Sequence, residues 1–435
     1  MPWPAALSDD TRGRYLAALA GVVAIGLAAR VGWVLGPAKD VPLAGDSGNF
    51  YRPVARSLAG LHGFTLETDG VRSPAGRLPP LFPVVLALFD LVGLGSVRAQ
   101  QLGMAVLNAI ALVPVAEVGR RLRGPAVGIV AGVFAALSPL WITHTSALMT
   151  EGMVLVLVPS VLLAALWTLE APSGRRYALV GLLLGLTALN RSDAALLAVL
   201  VVGALALAAP GGDGLRRRLA GPLVALLVVG LVVAPWVVRN QIRLDSATIS
   251  LNSGNTMAGA NCPDTYGDPP YRGSWRIQCA FVAGYFVGHS PEDPLPTAEL
   301  ERRSVDFAID YARDNTDRLP AVVSARVMRT WGVYPVEHQL ELARQEGRSA
   351  RLERIGLRVW QVSILPFLIG AVVAVRSRDR RFLLLLAPMV HVTVVSALIY
   401  GSTRMGTAAQ PAIAVLVAIG VCAVVDRVRG WLRPA

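Results

Sequence analysis

Charge is what this chain has least of. Only 16% of its 435 residues are charged, against about 25% in an ordinary soluble domain. That deficit excludes a cytosolic enzyme and a disordered scaffold, both of which need charge facing water. Cysteine is scarce too, with three in the whole chain, which excludes a small disulfide-stapled module. Neither GxxxxGK[ST] nor GxGxxG occurs. Without a glycine-rich cradle for phosphates, a nucleotide-driven pump or an enzyme with a cytosolic nucleotide-sugar domain is disfavoured. The five histidines, His62, His144, His289, His338 and His391, are scattered, with no HExxH and no close His/Asp pair. Their spacing does not indicate a metal cage.

What is present is apolar. Hydrophobic residues make up 54% of the chain, and the mean hydropathy is +0.53. A bilayer core about 30 Å thick takes roughly 20 apolar residues per helix. Ten runs read as spans: 15–36, 100–119, 124–141, 152–169, 177–190, 194–209, 220–238, 355–375, 382–400 and 409–426. The two short ones between 177 and 209 are a pair of helices or one broken helix. The first run is long and lacks a small-residue cleavage site, so it reads as a span rather than a cleaved signal.

The net charge of +12 raises nucleic-acid binding as one reading and a cytoplasmic rim of arginines as the other. The positions decide for the rim. Residues 78–95 are apolar enough to cross, but Pro79, Pro80 and Pro83 open the stretch and Asp90 sits inside it. With that stretch left out, Arg12/Arg14, Arg120/Arg121/Arg123, Arg175/Arg176, Arg216/Arg217/Arg218, Arg376/Arg378/Arg380/Arg381 and Arg427/Arg429 all fall on one side. The positive-inside rule thus makes 78–95 a juxtamembrane helix at the outer surface and puts both termini in the cytoplasm. Residues 37–98 and 240–353 are the two sizeable outer segments. Cys262 and Cys279 both lie in the second, on the oxidising side, which suggests a disulfide.

Charges at a membrane edge that topology leaves unexplained are the candidates for chemistry. They are Asp46 after the first span, Glu151 in Thr150-Glu151, Arg191 and Asp193 in a tight turn, and Arg404 near Tyr400. All fall on the same outer face. Each has a plain alternative. Asp46 suits a glycine-flanked turn, Glu151 a first helical turn, Arg191 and Asp193 a surface pair, and Arg404 a snorkelling side chain.

The order of motifs resembles the GT-C-fold, polyprenyl-phosphate-sugar-dependent glycosyltransferases, more narrowly the bacterial family 39 and aminoarabinose-transferase-like group. The residues that carry the resemblance are Asp46, Tyr51, Ala55-Arg56-Ser57-Leu58 and Gly63-Phe64, then Arg77-Leu78-Pro79-Pro80-Leu81-Phe82-Pro83. They continue with Thr150-Glu151, Leu189-Asn190-Arg191, Ala234-Pro235-Trp236 and Arg404 followed by Pro411. The resemblance implies Asp46 as catalytic base and Glu151 as a second acid that orients the acceptor or, in some relatives, helps hold a metal. It implies Arg191, Arg404 and Arg77 on the donor phosphate. Tyr51, Asp193 and Tyr400 are expected to line the substrate. Many relatives carry Asp-Glu or Asp-x-Asp where this chain has Asp46-Ser47-Gly48, so a divalent metal stays open as a cofactor. The WWDYG signature of oligosaccharyltransferases is absent.

The resulting expectation is an all-α polytopic membrane protein. It has a GT-C-like bundle of about ten transmembrane helices, an outer juxtamembrane helix and a small extracytoplasmic loop domain. Residues 1–239 form the N-terminal catalytic module, 240–353 the loop domain and 354–435 the last helices. The expected partners are a polyprenyl-phosphate-linked sugar donor, a hydroxyl acceptor and the bilayer, with no nucleic acid. With Lys39 the only lysine and Ala, Gly, Val and Leu abundant, the composition suggests a high-GC bacterium, hence a plasma-membrane protein with an extracytoplasmic site. The competing class is a polytopic transporter or lipid-linked-sugar flippase. It would place ionisable groups near the bilayer midplane rather than at one edge.

Overall fold

Helix follows hydropathy closely along this chain. The computed structural model describes residues 9–43, 45–209, 214–282 and 297–432. Among them seven helices are long and apolar enough to cross a membrane: Asp9–Leu35, Val97–Arg123, Thr150–Glu170, Arg218–Leu244, Ala350–Arg376, Arg380–Leu398 and Met405–Gly430. Pro125–Leu137 and Pro139–Ala147 together make an eighth, bent by 51°. The bend sits at Ser138-Pro139, where a proline cannot continue the hydrogen-bond ladder. The expected pair around residue 191 is two helices, Gly174–Asn190 and Ala194–Ala208, of 17 and 15 residues. Each falls short of the roughly 20 residues that a full crossing takes. The 78–95 stretch holds only Leu81–Leu91, 11 residues long, about 16 Å of helix and too short to span.

Burial ranks these helices. The hydrophobic window of Thr150–Glu170 is 83% buried, whereas that of Arg218–Leu244 is 11% buried. The first is therefore the axis of the bundle and the second a peripheral, lipid-facing helix. Ala350–Arg376 packs on the last helix through reciprocal glycines. A Cβ at Gly370 would strike the Leu416 carbonyl, and one at Gly420 the Pro366 carbonyl. Without side chains there, the two backbones approach closely. Arg30 is buried within the first helix and donates to Gly26, Ala136 and Ala135 carbonyls at 2.9, 3.0 and 3.3 Å. Two of those carbonyls end the helix that breaks at Pro139, so this arginine supplies donors that the broken ladder lacks.

Among the described residues the chain leaves helix for one short hairpin, which the all-α expectation did not include. Thr65–Thr68 (β1) pairs antiparallel with Val71–Pro74 (β2). Asp69 and Gly70 turn it at φ of +51° and +78°, the Asp-Gly geometry that matches strand twist.

The arginine clusters gather in space. Arg121 pairs with Glu170, Arg381 donates to the Arg121 carbonyl at 3.4 Å, and Arg218 donates to the Leu207 carbonyl at 3.0 Å. Glu170 and Glu151 lie at opposite ends of one helix, about 28 Å apart at 1.5 Å per residue. The rim and the candidate site therefore occupy opposite ends of the bundle. Arg216 and Arg217 of the rim have no described side chains. The stretch 283–296 of the loop segment, His289 included, lies outside the described residues.

Between residues 240 and 353 the described chain forms short helices around a disulfide between Cys262 and Cys279. Arg326 and Arg329 fasten this region. Arg326 donates to the Ala260 carbonyl, Asn261 Oδ1 and the Ala397 carbonyl at 2.9, 3.1 and 3.3 Å. Arg329 donates to the Arg272 and His338 carbonyls at 2.8 and 3.1 Å. Burial lowers both guanidinium pKa values, that of Arg329 to about 10, and both stay charged at neutral pH.

Candidate active site

Asp46 reaches its place through its neighbour. Ser47 starts a π-helical turn, Ser47–Tyr51, an irregularity often found at functional sites. The Ser47 hydroxyl lies within hydrogen-bond reach of the Ala147 and Leu148 carbonyls at 2.7 and 2.8 Å. Leu148 stands at φ +49°, the left-handed conformation that reverses the chain between Pro139–Ala147 and Thr150–Glu170. One buried serine thus ties the Asp46 segment to the turn that delivers Glu151.

Asp46 and Arg77 form an ion pair at 2.8 Å, with side chains 30% and 32% exposed. The Arg77 guanidinium also lies over the Phe50 ring, 5.2 Å from its centroid, a cation–π contact. The Arg77 backbone is held from the far side, its carbonyl accepting from Ser250 Oγ at 2.7 Å.

Glu151 is almost completely buried, at 1% exposure. Arg191 and Arg404 both grip its Oε1, Arg404 through Nε at 2.5 Å. Arg191 is further engaged by Asp193 in a two-pronged pair at 3.0 and 3.1 Å and by Met405 Sδ at 3.4 Å. His391 Nε2 stands 3.1 Å from the Asp193 carbonyl. Asn190 donates to the Thr150 carbonyl at 3.0 Å, fixing the Arg191 turn against the start of the Glu151 helix. Burial disfavours the Asp193 carboxylate, yet the neighbouring Arg191 and His391 hold its pKa below the ordinary value. Burial also opposes the charge on Arg404, and Glu151 more than restores it, raising that pKa well above the usual range.

A cavity of about 930 Å³ opens beside these groups, and Asp46, Arg77, Tyr400 and Arg404 all line it. The Arg404 terminal nitrogens have no protein partner among the described residues, since only its side-chain Nε is engaged. Burial pushes the Tyr400 phenol up to about 12, with Arg404 pulling the other way. At neutral pH it is a hydrogen-bond donor beside the cation.

Four expected site residues lie off the cavity wall: Glu151, buried behind Arg404, and Tyr51, Asp193 and Arg191. Tyr51 is 2% exposed and packs edge-on against Phe82, 5.1 Å between ring centroids. It lies beneath the cavity wall rather than on it, because its ring completes the apolar cluster of Phe50, Val54 and Phe82. Burial and then the Asp46 charge push its phenol pKa upward. Asp193 is absent from the large cavity and borders a small gap behind it, with Arg191 and His391. Arg191 also lies behind, all three guanidinium nitrogens occupied by Asp193, Glu151 and Met405.

Sequence reading passed over Ser47, whose only signal was its place next to Asp46. It also passed over a second buried network. Arg348 bonds Glu346 and Glu353 at 2.6 Å each, and Thr403 bonds Glu353. Ser402 Oγ lies 3.3 Å from Glu346 Oε1. This network steadies the loop that ends in Arg404, and nothing local in Gln345-Glu346-Gly347-Arg348 distinguishes it from a solvated charge run.

A divalent metal does not fit these residues. Among the described residues no three His, Cys, Asp or Glu side chains converge to hold one. The acids at or beside the cavity, Asp46, Glu346 and Glu151, already carry guanidinium partners.

Residues 77–238 match the family described as dolichyl-phosphate-mannose-protein mannosyltransferase. No curated protein gives a sequence match. Among solved structures, the oligosaccharyltransferase of Archaeoglobus fulgidus with an inhibitory peptide and a dolichol-phosphate aligns at TM-score 0.57 and 13% identity, covering 98% of this chain and 52% of that one. The apo form of the A. fulgidus oligosaccharyltransferase aligns at TM-score 0.56 and 12% identity, covering 96% and 51%. The chain has the GT-C fold. It spans about half the length of these GT-C relatives. ArnT of Cupriavidus metallidurans bound to undecaprenyl phosphate aligns more loosely, at TM-score 0.42 and 15% identity, over 95% and 78% of the two chains.

Proposed function

We propose that this GT-C protein is a membrane glycosyltransferase that moves a sugar from a polyprenyl-phosphate donor to a hydroxyl acceptor by a single inverting displacement. The observation that carries the reading is that Asp46 and Arg404 line one cavity, in a chain whose residues 77–238 match the mannosyltransferase family. Asp46 is the general base. An acceptor hydroxyl keeps its proton at neutral pH, so a carboxylate that takes it as the C–O bond forms lowers the barrier. The pair with Arg77 engages Oδ1 of Asp46, and Oδ2 serves as the proton acceptor. The donor breaks its anomeric C–O bond and leaves as polyprenyl phosphate. Arg404, with its terminal nitrogens unengaged, stabilises the charge that grows on that phosphate, and Arg77 assists.

Glu151 acts through the arginines. It holds Arg404 in place and, with Asp193, holds Arg191 as a supporting counter-charge. Residues 1–239 serve as the catalytic module, 240–353 as the acceptor-facing domain and 354–435 as the closing helices. The arginine rim supports a cytoplasmic location for that end and for both termini. The site then opens on the outer face of a bacterial plasma membrane.

The test is transfer by the purified protein in lipid, supplied with polyprenyl-phosphate sugars. Asp46→Asn is expected to lower turnover by about 10²–10⁴-fold with unchanged donor binding. Transfer that survives Asp46→Asn intact sinks the base assignment.

A further inference from the structure

The cavity has two chemically different walls. One carries Asp46, Arg77 and Arg404. The other belongs to the loop segment and holds Asn252, Asn255, Trp275, Gln278 and Gln345; its one charged residue, Glu346, is already paired with Arg348 at 2.6 Å. We infer that this second wall is an acceptor subsite and that the acceptor is a neutral glycan; the inference deepens the transferase reading and rests on it.

The wall is a built surface. The Trp275 indole N–H donates to the Asn255 carbonyl at 3.2 Å, which fixes the ring. A Cβ at Gly259 would overlap the pyrrole part of that ring, so the glycine lets the indole lie flush against the backbone, and Trp275 lines the cavity. The Arg276 N–H donates to the Gly259 carbonyl at 2.8 Å, anchoring the backbone beside the ring. The disulfide between Cys262 and Cys279 closes the chain around Trp275 and Gln278. The Gly401 N–H donates to the Gly273 carbonyl at 2.8 Å, so the closed loop is registered against the segment that carries Tyr400 and Arg404. Asn255 is 7% exposed, its amide nitrogen donates to Asn252 Oδ1 at 3.2 Å, and its own Oδ1 has no partner.

Chemistry selects the occupant. An anionic acceptor needs cations; the loop wall of the cavity offers none, and the two arginines on the opposite wall are paired with Asp46 and Glu151. A sugar ring offers an apolar C–H face for the indole and hydroxyls for side-chain amides in one rigid unit. Such convergence of an aromatic surface with a few placed polar groups is how small-molecule sites gain orientation.

The experiment uses the full chain in lipid nanodiscs with a polyprenyl-phosphate mannose donor. Octyl α-mannopyranoside, below its micellar concentration, is the neutral sugar probe, and a Ser/Thr peptide is the competing acceptor. Saturation-transfer NMR reads glycoside binding separately from turnover. Expected is binding and transfer to the glycoside, with acceptor KM raised about tenfold by Trp275→Ala, the loss of one aromatic contact. Donor KM stays within about twofold, because donor and acceptor contacts are separate. Trp275→Phe restores most of the acceptor affinity. Gln278→Ala, at an exposed position, repeats the KM effect should Trp275→Ala fail to fold. Transfer to the peptide with no glycoside binding overturns the proposal, as does an unchanged acceptor KM in both alanine variants. Glycoside binding that Trp275→Ala abolishes, with no donor consumption by the wild type, sinks the transferase reading and leaves the sugar subsite standing.

Discussion

The helix Thr150–Glu170 carries a glutamate near each end, and the two are set in different surroundings. Glu170 pairs with Arg121, with side chains 20% and 21% exposed, and the same guanidinium lies over Trp167, 5.6 Å from the ring centroid. Neighbouring rim pairs are local, Arg120 with Glu117 and Arg381 with Asp379. Glu151 is 1% exposed and is gripped by guanidinium groups 40 and 253 residues away. Charge at the rim pairs within a turn, or with one neighbouring helix as Arg121 does with Glu170, and keeps contact with water. Charge at the other end must be assembled from several helices, and its burial makes every partner matter.

Removing Glu151 is therefore the sharpest way to break the comparison. Glu151→Gln leaves Arg191 and Arg404 facing each other with no shared anion. The expected loss is roughly 3–5 kcal/mol of stability, the usual cost of orphaning buried charge, together with loss of transfer. A denaturation midpoint measured in nanodiscs checks it. A variant as stable as the wild type would mean that the two arginines find other anions and that Glu151 does not organise the site.

Arg404→Lys probes the same network by charge geometry. A lysine keeps the charge but lacks the planar fork, so it cannot hold Glu151 and a phosphate at once. Turnover is expected to fall about a hundredfold, in line with the loss of one charge-stabilising donor, with little change in midpoint. Equal effects on both would put Arg404 in the scaffold rather than the chemistry.

These contrasts also mark what the sequence could carry. Hydropathy runs and arginine clusters are one-dimensional signals, so the long helices, the short surface helix at Leu81–Leu91 and the gathered rim were all legible. The reading of 124–141 as one span missed the break at Pro139, and with it the carbonyls to which Arg30 donates. Glu151, Arg191 and Arg404 stood out because the outer loops hold few charges. Ser47, Glu346, Arg348 and Glu353 did not stand out. Their partners lie 100 residues away for Ser47, and 50 for the Glu353–Thr403 bond. A short polar stretch has no local pattern that distinguishes a buried network from a solvated one. Tyr51 reads as a site aromatic, but its ring packs among Phe50 and Phe82. Only tertiary packing separates those two roles.

Ser47→Ala tests whether that long-range tie positions Asp46. It frees two carbonyls of the reversal before Glu151, at an expected cost of about 1–3 kcal/mol for buried acceptors left unpaired. A merely structural role would lower the midpoint and leave kcat alone. A positioning role lowers kcat as well, with donor KM unchanged, and Ser47→Thr, which keeps the hydroxyl, recovers both. Steady-state kinetics on the three proteins separates these outcomes.

Glu170→Gln is the smallest expected effect and completes the contrast. Arg121 keeps Glu117 at 3.5 Å and the Trp167 face, so no charge is stranded. The pair is partly solvated, and such pairs contribute up to about 1 kcal/mol. A double-mutant cycle of Glu170→Gln with Arg121→Gln should therefore return a coupling below about 1 kcal/mol. The matching cycle of Glu151→Gln with Arg191→Gln should return a coupling above about 2 kcal/mol. Raising the salt concentration should shrink the first and leave the second nearly untouched, because screening acts on pairs that water reaches. Equal couplings at both ends would overturn the view that one helix end is a hydrated rim and the other an assembled site.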